Sequence, residues 1–151
     1  MFTSDDSHTW LRHLQIQHRS INDRLLRLEN ERIPSLEALV GRPPSLLLED
    51  LQELRTELVQ HFQQEEEGGC LEEALSRCPS LCEEVRRIEG EHPQLLQDLD
   101  QIMDSTQKQW DCEEASRVKE AFQNLAHRIR AHEAAESRIL IQGFGTHADT
   151  A

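Results

Sequence analysis

Residues 45–65 read SLLLEDLQELRTELVQHFQQE, and the apolar pattern in this stretch decides the fold. Leu47, Leu51, Leu54 and Leu58 follow one another at intervals of four, three and four, so they line a single face of an α-helix. His61 and Glu65 extend the row by steps of three and four. Two polar residues therefore continue a face destined for burial. Pro43-Pro44 breaks the chain before this helix, Ser45 is expected as its N-cap, and Gly68-Gly69 is expected to end it.

The same period recurs on both sides. Upstream, Leu11, Leu14, Ile21, Leu25 and Leu28 form a stripe whose gap is filled by His18. That helix is expected to start after Ser4, with Asp5 and Asp6 in its first turn, and to run to about Ile33 ahead of Pro34. Downstream, Leu81, Val85, Ile88, His92, Leu95, Leu99 and Ile102 form a third stripe, opened by a capping box of Ser80 and Glu83. Pro93 offers no N–H to the Glu89 carbonyl, which predicts a kink. A fourth helix is expected to start near Asp111 and to carry Val118, Phe122, Leu125, Ile129, His132, Glu136 and Ile139, with Gly143 and Gly145 ending it. Residues 70–79 are expected to hold a turn of helix at most, and 143–151 to be a disordered tail. The expected architecture is all-α: an up-down-up-down antiparallel four-helix bundle over residues 1–142.

Composition agrees. The chain has 151 residues, 30% of them charged and only 4% aromatic, as expected of long amphipathic helices around one core. A net charge of -13 argues against nucleic acid and anionic membrane surfaces, both of which need a basic patch. No run approaches the roughly 18 apolar residues of a membrane span. The opening MFTSDDSHTW has acids where a signal peptide needs basic residues, so a cytoplasmic location is expected. Cys70, Cys78, Cys82 and Cys112 are then expected as reduced thiols, and without CxxC pairs they do not suggest a zinc ribbon.

Each helix thus places one histidine in its buried stripe: His18, His61, His92 and His132. Glu65 and Glu136 follow the second and fourth of them by one helical turn. Burying six such groups without partners is costly, and a metal centre satisfies all of them at once. The spacing also repeats, with 43 positions from His18 to His61 and 40 from His92 to His132. Two similar helical hairpins imply a roughly two-fold site. Six protein donors are too many for a closed tetrahedral zinc site and suit two octahedral metals bridged by Glu65 and Glu136. Glu89, three before His92, is either a further ligand or a solvated acid. His13 and His127 are expected to face outward. Spacing alone does not separate iron from zinc or manganese.

The strings QHRSINDRLLRL (17–28), HFQQEEE (61–67), EHPQLLQDL (91–99) and HEAAESRILI (132–141) resemble the four helices of the hemerythrin-like, or HHE cation-binding, family. The resemblance implies two iron ions held by His18, His61, Glu65, His92, His132 and Glu136, bridged by two carboxylates and an oxo or hydroxo group. It implies binding of dioxygen, nitric oxide or peroxide, with an electron donor as partner. Oxygen-carrying hemerythrins show HxxxH on the third helix, whereas Ile88 and Leu96 flank His92 here. They also place an aspartate five residues after the last histidine, where this chain has Ser137. The chain resembles instead a four-histidine, two-carboxylate branch with more open coordination, linked to nitric oxide, peroxide or iron handling. Iron storage or donation, or regulation through the same site, is the alternative, and a metal-free helical adaptor is a second. A binding role is favoured over classical catalysis. A ferritin-like site needs Glu-x-x-His on two helices, but Ile129 stands three before His132; a tyrosyl radical is excluded by the absence of Tyr.

Overall fold

The computed structural model describes residues 4–41, 44–108 and 110–145. Its regular structure is helical, with no strand among the described residues. The α-helices are α1 (Ser4–Arg27), α2 (Ser45–Gly68), α3 (Cys70–Arg77), α4 (Cys82–Thr106) and α5 (Cys112–Phe144). None of the described helices is long and apolar enough to cross a membrane.

The stripes read from the sequence are the buried faces. All six stripe residues of α2, from Leu47 to Glu65, are buried, as are those of α4 and α5. In α1, Leu14, Ile21 and Leu25 are fully buried. The long helices pack in a ring, α1 against α2, α2 against α4, α4 against α5, and α5 against α1. Each contributes one apolar row to a common interior, the arrangement that removes most apolar surface from water for helices of this length.

Several local expectations need correction. The 70–79 segment is not a single turn. Its α3 helix is two turns long, buries Cys70, Leu71 and Ala74, and docks on α5. The close approach is permitted by Gly143, where an added Cβ would lie 2.5 Å from the Ala74 Cβ. Gly143 therefore lies inside α5, and the helix ends at Gly145 in the left-handed region at φ 65°. Ser45 is the first residue of α2 and not its cap; Pro44 precedes it without a side-chain capping bond. Ser80 likewise caps nothing. It lies in a 3-10 turn, Pro79–Leu81, and its Oγ is 3.3 Å from the Cys78 Sγ. Asp111 does cap α5, accepting a 2.8 Å bond from the Glu114 N–H.

The end of the first helix also differs from a simple stop. Before Pro34 the backbone widens into a π-helical turn, Leu28–Arg32, and then tightens into the 3-10 turn Ile33–Ser35. Arg130 reaches this turn from α5, with a two-pronged pair of 3.0 and 2.6 Å to Glu29 and a 2.9 Å bond to Asn22. Pro93 sits within α4, which continues through it. The tail expectation for 146–151 lies outside the described residues.

Candidate metal centre

The apolar interior is two clusters, and a polar layer separates them. One cluster gathers Ile21, Leu58, Leu95 and Ile129 with their neighbours; the other gathers Leu14, Cys70, Ile88 and Ile139. In α1, α4 and α5 the histidine falls between a residue of one cluster and a residue of the other, and in α2 His61 follows Leu58 of the first cluster as the chain runs on to Cys70 of the second, at the start of α3. The stripe that buries these rows thus carries His18, His61, His92 and His132 to one level. Glu65 and Glu136 point into the same level, and His61, Glu65 and Glu136 are at most 1% exposed. His18 is the most open of the six, with 13% of its side chain exposed.

The two carboxylates each reach both halves of this layer. Glu136 Oε1 is 2.8 Å from His18 Nε2 and 3.3 Å from His61 Nε2, while its Oε2 is 3.7 Å from His132 Nε2. Glu65 Oε1 is 2.5 Å from His61 Nε2, and its Oε2 is 3.2 Å from His92 Nε2. Two groups of converging donors result, Glu65 with His92, His132 and Glu136, and His18 with His61 and Glu136, the atoms of each lying within 4.8 Å of one another. Glu136 belongs to both.

Only the His18 Nε2–Glu136 Oε1 contact among these is a hydrogen bond. His61 Nε2, His92 Nε2, His132 Nε2, both oxygens of Glu65 and Glu136 Oε2 are buried without a hydrogen-bond partner. Their lone pairs crowd a common space instead of meeting donors. Buried polar atoms in folded proteins are nearly always paired, since each unpaired one costs about 1–3 kcal/mol. Four imidazoles and two carboxylates facing one another in this way fit divalent or trivalent cations, which would replace every missing partner.

The outer nitrogens of three rings are held in place. His61 Nδ1 is 2.6 Å from Gln17 Oε1, His132 Nδ1 is 2.7 Å from Glu91 Oε1, and His92 Nδ1 is 3.2 Å from Glu66 Oε1. A proton on Nδ1 donated to these oxygens leaves the Nε2 lone pair free toward the centre. The pattern is internally symmetric. Gln17 and Glu91 each immediately precede the first histidine of a hairpin, and each bonds the second histidine of that hairpin. Phe62 stacks on the His92 ring at 4.1 Å and meets the His132 ring edge-on at 5.5 Å, keeping water from that side.

Without metal, the charges compete. Burial lowers the pKa of His18 and of His132, favouring neutral rings. Burial would lower His61 too, but the adjoining Glu136 and Glu65 carboxylates outweigh it and raise His61 to about 10. Burial, reinforced by Glu65, raises Glu136 well above the usual carboxylate range. Burial acts the same way on Glu65 but is overcome by contacts with Glu136, His61 and His92, which hold it low. Protons thus occupy in the metal-free protein the space that cations fit.

All six residues singled out in the sequence come together in this layer. Glu89 does not join either group of donors; it is half-buried, and its pKa is raised by burial and by Glu72 and Glu66. His13 and His127 are exposed, as their positions imply. Sequence reasoning missed the roles of Gln17 and Glu91, and it passed over Glu133, which is only 8% exposed with its Oε2 unpartnered. A cavity of about 280 Å³ is lined by His132, Glu91, Arg87, Arg128 and Arg138 among others. The larger surface concavity of about 860 Å³ runs past Asp98, Ser105 and His127 and touches none of the six residues.

An all-helical bundle whose long helices each bring one histidine to a shared carboxylate pair is the architecture of a cation-binding helical domain. The sequence profile of the hemerythrin HHE cation binding domain matches residues 9–143, and the chain belongs to that family. No curated protein and no solved structure matches it.

Proposed function

We propose that this chain is a hemerythrin-like di-iron protein that binds or reacts with dioxygen, nitric oxide or peroxide. The observation that carries the reading is the set of buried, unpaired Nε2 and carboxylate atoms converging between two apolar clusters. His18 and His61 would serve one ion, His92 and His132 the other, with Glu65 and Glu136 spanning both. Up-down-up-down antiparallel packing of α1, α2, α4 and α5 belongs to the same reading. It is supported by the order in which the chain visits the two clusters: Leu14 before Ile21 in α1, Leu58 of α2 before Cys70 at the start of α3, Ile88 before Leu95 in α4, and Ile129 before Ile139 in α5.

Bound iron would supply an open coordination position and a change between ferrous and ferric states. The protein supplies the rest. Gln17, Glu66 and Glu91 fix the imidazole tautomers and make the rings better donors. Phe62 and the flanking leucines exclude water, and His18, with 13% of its side chain exposed, is the edge of the site nearest solvent. A metal-free adaptor would leave the same atoms buried and unpaired with nothing gained.

The test is anaerobic reconstitution with ferrous iron followed by optical spectra on adding dioxygen, nitric oxide or peroxide. New charge-transfer bands with at least one of the three are expected. An iron-loaded protein whose spectrum none of them alters would overturn the small-molecule role and leave iron storage or donation, read from the rate at which a chelator removes the metal.

A further inference from the structure

The cavity beside His132 lies between α4 and α5. From α4 it takes Arg87 and Glu91, one helical turn apart on the same face. From α5 it takes Arg128, Ala131, Ala135 and Arg138, spaced by three, four and three along one row. The two alanines are too short to fill the space between the helices, and a hollow of about 280 Å³ remains. Pockets for drug-sized ligands run to roughly 300–1,000 Å³, so this one suits a smaller molecule.

Charge sets the chemistry of that molecule. Three arginines line the cavity against one carboxylate, Glu91, in a chain whose net charge is -13. Arg24, Arg32, Arg55 and Arg130 each pair with an acid on another element, and Arg128 pairs with Asp98. Arg87 and Arg138 have no carboxylate partner among the described residues, although acids outnumber basic residues 29 to 16 along the chain. Glu91 is already engaged, with its Oε1 2.7 Å from His132 Nδ1.

We propose that this cavity binds a small oxyanion, a phosphate or a compact carboxylate, held by Arg87 and Arg138 with Arg128 at its border. A guanidinium presents a planar fork of donors that matches either head group. The field of the whole chain repels anions, so one that binds is held by these local charges. The site stands apart from the two-metal reading, because none of the three arginines is a metal ligand. An anion there faces the carboxylate that fixes His132, and its occupancy reaches the polar layer through that one hydrogen bond.

Isothermal titration calorimetry of the full chain with inorganic phosphate and with malonate tests the site, in about 0.15 M sodium chloride so that diffuse charge effects are screened. Each titration is run before and after chelator treatment, since both ions also bind iron. Saturable binding of at least one ion, with a dissociation constant of about 1 mM or tighter, is expected in both preparations, and the tighter ion identifies the head group. The double variant Arg87→Gln/Arg138→Gln should bind at least about tenfold more weakly. Both positions are exposed, so its far-UV circular dichroism should be unaltered. Glu91→Gln, which removes the one lining carboxylate, should bind about threefold more tightly or better. Binding retained by the double variant, binding lost on chelator treatment, no tightening in Glu91→Gln, or no saturable heat with either ion would each overturn the proposal.

Discussion

Replacing His132 by leucine should stabilise the metal-free protein while removing its response to iron. The His132 side chain is 1% exposed and burial keeps the ring neutral, so no charge is lost. Its Nε2 has no hydrogen-bond partner, an omission that costs about 1–3 kcal/mol. The change also forfeits the 2.7 Å bond to Glu91, worth about 0.5–1.5 kcal/mol, because the one-third-exposed Glu91 returns to water. Leucine fills most of the vacated volume beside Phe62. The balance runs from about -0.5 to about 2.5 kcal/mol in favour of the variant, or up to about 10 °C in Tm for a chain of this size. Iron at about a hundred times its dissociation constant adds about 2.7 kcal/mol per site to the unmodified protein. The variant should lose at least half of that gain. Thermal unfolding followed by far-UV circular dichroism, with and without anaerobic ferrous iron, reads both effects. A metal-free variant destabilised by more than about 1 kcal/mol, or an undiminished iron-dependent rise in Tm, would refute the reasoning.

Glu91→Gln should leave thermal stability nearly unchanged and weaken iron binding about 10–100-fold, measured by competition with a chelator, because it alters only the partner of His132 Nδ1. Gly143→Ala should destabilise by about 1–3 kcal/mol in denaturant unfolding, since its Cβ would meet the Ala74 Cβ at 2.5 Å and the Ala74 backbone at 2.7 Å. Metal-free stability should fall as pH rises from about 6.5 towards 10. The folded His61 pKa of about 10 lies above its ordinary value of 6.5, so its contribution is complete below 6.5 and vanishes as the ring deprotonates. Chemical denaturation at several pH values checks the sign, and a curve that climbs over that interval would contradict it.

The buried faces were legible because each long helix repeats its apolar period over five to seven turns, enough to place His18, His61, His92 and His132 in register without knowing any contact. Helix α3 was not legible for the opposite reason: two turns give Cys70, Leu71 and Ala74 too few repeats to distinguish a docked helix from a linker. Ser45 and Ser80 each follow a proline, and that neighbour shifted the helix start by a residue or two from where a serine cap belongs. Gln17 and Glu91 escaped notice because their partners lie on other helices, although both stand one residue before a stripe histidine. Glu133 was overlooked because the reading followed one row along α5. A helix wedged between two neighbours buries a wider arc, and the residue 100° round from His132 falls within it.

The central claim is a site for two ions built from His18, His61, Glu65, His92, His132 and Glu136. Iron counted per chain after anaerobic reconstitution and desalting tests it most directly, with Glu65→Ala measured alongside. The account predicts about two irons in the unmodified protein and fewer than one in the variant, because Glu65 has an oxygen near each half. Less than about one iron per chain in the unmodified protein, or equal retention in both, would contradict it.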